Sequence, residues 1–318
     1  MPDTFLITGG AGNLACHLTR ELAPRGHKII LLDIARQPVI DPAPGCKYLR
    51  GDTTSNNTLD DIFNTYRPNV IVHFASLLSS RSEEDRPLAW QVNMNGAFEL
   101  FEAAIRHNVR QFFFPSSVAA FGGELINPVP EDCPQWPDGL YGVTKMAIER
   151  LGTYYHRRHG LDFRCLRVPI VISPQAHPGA ASAYVSLAFI QAVRSGHFTF
   201  KVRPTSSPAL IYMKDLLQGM LQLLEAPREQ LSRQVYNIQA LSPTAEQIAG
   251  VIQQHLPKVE LQFKPEQQIA DLIDSWPIVF DDTMAQRDWN WQATYNLENM
   301  ADDFIEFLQR EPAASPEL

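Results

Sequence analysis

No apolar run in the 318-residue chain approaches the roughly 20 residues that cross a bilayer, so no membrane helix is expected. Basic charge is also short. The 27 Lys and Arg stand against 35 Asp and Glu, a net charge of -8, which argues against a general nucleic-acid or anionic-membrane surface. Cysteine is scarce as well. Cys16, Cys46, Cys133 and Cys165 have neither CxxC pairing nor zinc-ligand spacing, and no local motif marks one as a nucleophile. They read as free thiols in a reducing cytoplasm, and no metal site is expected. Met1-Pro-Asp-Thr leads straight into a strand-like run without the basic and apolar regions of a signal peptide, which agrees with that compartment. Repeats and low-complexity tracts are missing too. What remains is 45% hydrophobic and 19% charged, an ordinary globular balance at a length that suits one large or two modest domains.

The first half alternates in period. Apolar stretches at Thr4–Thr8, Lys28–Asp33, Lys47–Arg50, Val70–Phe74, Gln111–Pro115 and Phe163–Val168 read as strands. Helical spacing marks Leu14–Pro24, Leu59–Tyr66, Pro87–His107 and Leu140–His159. Strands alternating with helices mean βαβ units and a parallel sheet covered on both faces, an α/β Rossmann-type doubly wound fold over residues 1–169. After Pro169 the pattern breaks. Ser173–Ala183, rich in Pro, Gly, Ala and Ser, reads as a loop over a pocket. Helices are expected at Val185–Arg194, Lys214–Glu225, Thr244–His255 and Leu297–Gln309, with short strands at Leu210–Tyr212 and Val235–Ile238. Residues 170–318 therefore form mainly a smaller substrate-binding lobe, with some segments returning to the first domain. The tail after Glu311 reads as frayed.

Gly9-Gly10-Ala11-Gly12-Asn13-Leu14-Ala15 follows the first strand and opens the first helix. Gly10-x-Gly12-x-x-Ala15 satisfies the G-x-G-x-x-G/A fingerprint in its strand–turn–helix context, where glycines allow a tight turn and helix-start amides receive a pyrophosphate. Gly9, Gly12, Asn13 and Leu14 are thus candidate dinucleotide contacts. Asp33 ends the second strand, where an acid hydrogen-bonds the adenosine ribose. Its charge repels a 2′-phosphate, so NAD is expected over NADP, although Arg36 stands three residues on. Asp52 either reaches the adenine or caps the following turn.

Tyr141-Gly-Val-Thr-Lys145 sets a phenol and an ammonium four apart, on one helix face. The ammonium is expected to favour the phenolate and bring the phenol down from its ordinary value near 10. A base of that kind can take a proton from an alcohol near neutral pH. The Ser116-Ser117 pair precedes it at the end of a buried strand. His73, ending another buried strand, reads as a packed, hydrogen-bonded residue.

Together with His73-Phe-Ala-Ser76, Val92-Asn-Met-Asn-Gly96 and Pro115-Ser-Ser-Val-Ala-Ala-Phe-Gly122, these motifs resemble the extended short-chain dehydrogenase/reductase family, over nearly the whole chain. The resemblance implies Ser117 as the hydroxyl that polarises the substrate oxygen, Tyr141 as proton acceptor and Lys145 as the holder of the nicotinamide ribose. It also implies Ala75, Asn93 and Pro169 beside the cofactor. Leu77-Leu-Ser79, Phe163-Arg-Cys-Leu-Arg167, Tyr212-Met213 and Asp274-Ser-Trp-Pro277 look most like the L-threonine 3-dehydrogenase group, in which Ser79 and Trp276 would line the substrate pocket. Two departures matter. Ser117 stands where that group has Thr and keeps the hydroxyl. Ala181-Ser182-Ala183-Tyr184 stands where a Thr-Thr-Asp-Tyr run is expected, so a hydroxyl and a carboxylate become methyl groups. Ser182 reads either as a substrate hydrogen-bond donor or as a plain loop residue, and Trp276 as pocket or core.

The expected reaction is NAD-dependent oxidation of a secondary alcohol on a small β-hydroxy amino acid or related hydroxy acid. A sugar-nucleotide 4-epimerase uses the same Ser, Tyr and Lys and is the first rival; a dehydratase would want acids beside Ser117, where Val118-Ala119 stand. A non-catalytic NAD-binding regulator is the rival from another class. Family members commonly pair through two long helices, so a homodimer is expected, with Phe98, Leu100, Phe101, Ile148, Leu151, Tyr154 and Tyr155 facing either the partner or the sheet.

Overall fold

Strands a few residues long and buried on both faces alternate with helices that show one apolar stripe. The computed structural model describes residues 2–123, 125–176 and 180–310. Its first part runs β1 (Thr4–Thr8), α1 (Asn13–Leu22), β2 (Lys28–Asp33), β3 (Lys47–Arg50), α2 (Asn56–Tyr66) and β4 (Val70–His73). Next come α3 (Ser79–Glu84), α4 (Arg86–Ala89), a π-helical stretch (Trp90–Asn95) and α5 (Gly96–Arg106). β5 (Gln111–Ser117), α6 (Leu140–His159) and β6 (Asp162–Val168) complete this half.

The second part holds β7 (Ile170–Ile172), α7 (Tyr184–Ser195), β8 (His197–Phe200), β9 (Leu210–Tyr212) and α8 (Met213–Glu225). It continues with β10 (Val235–Asn237), α9 (Ala245–His255), β11 (Glu260–Phe263), α10 (Gln267–Asp274), α11 (Thr283–Trp289) and α12 (Leu297–Arg310).

A seven-stranded sheet has the order β10-β6-β5-β4-β1-β2-β3 with every pairing parallel, as the alternating pattern implies. β10, from the second half of the chain, joins its edge beside β6. One face of the sheet buries Phe5, Ile7, Leu31 and Val72 under α1 and α8. The other buries Phe112, Phe114 and Phe163 under α2, α5 and α6, where Phe101 stacks 4.2 Å from Phe112 and 4.8 Å from Tyr155 between ring centroids. Truncating wholly buried rings of this kind costs about 3–5 kcal/mol each. A separate apolar cluster under α7, α9 and α12 forms the second lobe's core.

Several elements differ from the reading of the sequence. α1 ends at Leu22 and tightens into one 3-10 turn at Ala23–Arg25, and the long helix expected from Pro87 passes through the π-helical stretch. α3, α4, β7, α10 and α11 are too short to announce themselves by periodicity, as are β8 and β11, which pair in parallel across some sixty residues. The expected loop at Ser173–Ala183 contains a 3-10 turn at Ala181–Ala183, and its residues 177–179 lie outside the described residues, as does the tail from 311. Leu100, Phe101, Ile148 and Tyr155 are buried in the sheet-facing core, whereas Phe98 and Tyr154 are 45% and 49% exposed. No helix among the described residues is long and apolar enough to cross a membrane, and none of their His, Cys, Asp and Glu side chains group as a metal site.

Candidate active site

The glycine turn after β1 is held by backbone bonds from Gly10 N to Leu32 O (3.1 Å) and Gly12 N to Gly9 O (3.0 Å). Gly9 has φ +65, and a Cβ there would stand 2.6 Å from Ala75 N, so both conformation and the close approach of the β4 end require glycine. α1 starts with no side-chain cap, which leaves its first amides available to an anion. Asn13 donates to Ser173 Oγ at 2.6 Å, tying the turn to the second lobe. Its buried Oδ1 has no hydrogen-bond partner among the described residues. An orphaned acceptor, uncapped amides and a cradle that a Cβ would fill fit a bound dinucleotide. Leu14 packs at the edge of the core beside this turn, and Pro169 is buried just past β6.

Asp33 braces the same turn. Its Oδ2 accepts from Ala11 N at 3.0 Å and its Oδ1 from Ala35 N at 2.9 Å. A carboxylate has about four acceptor positions, so two remain for ribose hydroxyls. Asp52 is exposed, and its Oδ1 accepts from Thr54 N at 2.9 Å, which caps the following turn. Asn93 lies in the π-helical stretch, a geometry common at functional sites. Its amide clasps Leu77, accepting from N at 2.8 Å and donating to O at 3.2 Å, and also donates to Thr144 Oγ1 at 3.2 Å. It thereby fixes the loop after β4 to α6. His73 is buried, bonds Thr8 Oγ1 at 2.7 Å and is held neutral, since burial and nearby Lys145 push its imidazole down to about 3.

Ser117, Tyr141 and Lys145 meet where β5 ends against α6. Ser117 Oγ accepts from Ala119 N at 3.2 Å and lies beside the Tyr141 hydroxyl, where it favours the phenolate. Lys145 is 4% exposed; its Nζ donates to Pro115 O at 2.8 Å and lies 5.4 Å from the Tyr141 ring centroid. Gly142 lets the helix approach, because a Cβ there would meet Ala119 O at 2.1 Å. The electrostatics differ from the expectation drawn from spacing. Burial pushes the Tyr141 phenol up to about 12 against the opposing Ser117 hydrogen bond, and pushes Lys145 down to about 8. The ammonium is spent on a backbone carbonyl over the ring rather than at the hydroxyl, so desolvation wins.

Glu83, in α3, caps α6 by accepting from Leu140 N at 2.7 Å. Ser79 is four residues before it on the same short helix, exposed toward solvent near the Tyr141 end of α6. In the second lobe, α10 packs against the Ala181–Ala183 turn. Ser182 is half-buried in that turn, Ala181 packs on the second lobe's core and Ala183 is buried. Trp276 is half-buried against the same core. Glu149 and Arg167, an ion pair buried behind the Ser117–Tyr141–Lys145 group, received no role from the sequence, which named Arg167 only within the Phe163–Arg167 motif. Glu149 continues the helical spacing of Tyr141 and Lys145 by one more turn, and that was its only signal.

The pattern of the NAD dependent epimerase/dehydratase family matches residues 5–238. The chain belongs to that family. It is an NAD-dependent enzyme acting on a carbon that bears a hydroxyl group. The bovine (Bos taurus) mitochondrial L-threonine 3-dehydrogenase is 35% identical over 308 residues, covering 95% of this chain and 82% of the relative. The L-threonine dehydrogenase of Clostridium difficile superposes with a TM-score of 0.90 at 32% identity, covering 96% of this chain and 98% of that one. A Thermotoga maritima UDP-glucose 4-epimerase superposes at 0.86 with 22% identity, over 96% of this chain and 99% of that one, a likeness of fold alone.

Proposed function

We propose that the chain oxidises the secondary alcohol of a small β-hydroxy amino acid or related hydroxy acid with NAD, as an L-threonine 3-dehydrogenase-like enzyme. The observation that carries this reading is Ser117 beside Tyr141 where β5 ends against α6, with Lys145 buried next to the Tyr141 ring. Bound NAD supplies the hydride acceptor. The turn from Gly9 to Leu14 would hold its pyrophosphate, Asp33 its adenosine ribose and Lys145 its nicotinamide ribose; Ala75, Asn93 and Pro169 would shape the floor, and Asp52, which caps its own turn, would stand toward the adenine end. Tyr141 takes the hydroxyl proton as the alcohol carbon loses hydride, and Ser117 donates to the developing oxyanion. Ser79, Ser182 and Trp276 line the substrate side in this reading. The methyl groups of Ala181 and Ala183 leave a polar substrate fewer partners there, which favours larger or less polar hydroxy acids.

An NAD-reduction screen over hydroxy amino acids, hydroxy acids and UDP-sugars tests it. Stoichiometric NADH is expected from at least one hydroxy acid, with turnover on the order of 10 per second. Interconversion of UDP-sugars with no net NADH would instead establish the epimerase reading. NAD binding with no turnover in either assay would leave the regulator. The same reading includes a homodimer in the cytoplasm, supported by four free cysteines and by Phe98 and Tyr154 exposed on α5 and α6. Sedimentation equilibrium should then return about twice the 35.8 kDa chain mass, and a single-chain mass would overturn the dimer.

A further inference from the structure

The stripe of α6 that carries Tyr141 and Lys145 continues to Glu149, which is 1% exposed. Glu149 Oε1 accepts from Ser116 Oγ at 2.5 Å and from Arg167 Nε at 3.1 Å. Its Oε2 accepts from Arg167 Nη2 at 2.8 Å and from Gln135 Nε2 at 3.0 Å. All of the roughly four acceptor positions of a carboxylate are thereby used, so none is left for a substrate. A buried ion pair is also a poor stabiliser, because desolvating both charges consumes most of their attraction. Its presence directly behind the site needs another reason.

The hydrogen bonds supply one. Pro115, Ser116 and Ser117 end β5, and the first two are gripped by the α6 stripe. Lys145 holds the Pro115 carbonyl and Glu149 holds the Ser116 hydroxyl, while Tyr141 stands beside the Ser117 hydroxyl. Ser116 lies beside Arg167 in the β5–β6 register, so the ion pair clamps both strands from the helix side. Successive strand residues face opposite ways, so a fixed Ser116 fixes the direction of Ser117. We propose that Glu149 is a positioning residue for the alcohol oxidation, setting Ser117 against Tyr141 through Ser116. The inference rests on the function proposed above.

The charge effect has a definite sign. Lys145 lies near Tyr141 and Glu149 on α6, Cys165 on β6 and the neutral His73 on β4. Burial lowers its ammonium to about 8, and Cys165 and Glu149 act the other way. An active enzyme needs Lys145 protonated, so rate is lost as pH rises through that value. Removing the Glu149 charge lowers Lys145 further, and the alkaline fall then begins at lower pH.

The test is Glu149→Gln in the full chain with saturating NAD and the best substrate of the screen. Misplacement of this kind is expected to lower kcat by about tenfold to a hundredfold. KM and NAD affinity should be little changed, and the alkaline limb should move to lower pH. A folded variant with parental kcat and an unmoved limb overturns the proposal. Ser116→Ala keeps the ion pair and removes one hydrogen bond. It should fold, lose kcat several-fold and keep its alkaline limb. Parental kcat in Ser116→Ala overturns the grip on Ser117 even where Glu149→Gln fails to fold. An inactive parent would sink the function and this inference together, whereas an active parent with unaltered variants sinks this inference alone.

Discussion

Tyr141→Phe is expected to bind NAD as the parent does while turnover falls by about two to four orders of magnitude. Phenylalanine preserves the ring over which Lys145 sits, so the local packing survives. It removes the hydroxyl that lies beside Ser117 and that, in the proposed mechanism, accepts the substrate proton. The glycine turn and Asp33 do not involve that hydroxyl, so NADH fluorescence titration should give a parental affinity. Turnover that persists on the best substrate would end the proposed mechanism. The parent's pH profile belongs to the same argument. With its phenol near 12 before ligands bind, Tyr141 is a scarce phenolate at neutral pH, and rate should climb with pH as that form grows. The climb ends where Lys145 loses its proton, near 8 in the unliganded protein. The positive charge of oxidised NAD favours the phenolate and shifts the rising limb to lower pH.

Arg167→Met is expected to destabilise the fold by about 3–5 kcal/mol, the cost of leaving one member of a buried ion pair without the other. Arg167 does more than pair with Glu149. It donates to the Glu131 carbonyl at 2.7 Å and to Asn237 Oδ1 at 3.4 Å, and its guanidinium lies 4.6 Å from the Phe121 ring centroid. Asn237 belongs to β10, so Arg167 helps tie that late strand to β6. Its loss strands the Glu149 carboxylate between Ser116 and Gln135. Urea unfolding should show a lower midpoint at unchanged slope. A loss below about 1 kcal/mol would mean that solvent reaches the pair after all. Replacing Glu149 by Leu in the same chain should recover part of the loss, because the two positions are coupled.

Much of the fold was readable because its signals are local. The bounds of β1, β2 and β3 coincide with those expected from their apolar runs, and the whole parallel sheet follows from their alternation with helices. Asp33 and the glycine turn were legible for the same reason, since a strand end and a helix start lie within a few residues of each. β8 and β11 were not, because four residues of alternation carry little information and the partner lies far along the chain. The partner of Arg167 was not legible either, because only the packing of α6 on β6 brings Glu149 to it. Asp52 remained two readings, and its bond to Thr54 N supports the cap.

Short spacings alone name the groups that could act: a glycine turn at a helix start, an acid at a strand end, and a phenol and ammonium on one helix stripe. Each depends only on backbone periodicity over a few residues. Packing of distant segments sets their electrostatic state and their neighbours. Lys145 reaches for Pro115 rather than the Tyr141 hydroxyl, and Tyr141 is pushed up rather than down. Glu149 ends up holding Ser116. Desolvation and strand-to-helix contacts are set by whatever distant chain packs over a group, and no spacing within one helix encodes that.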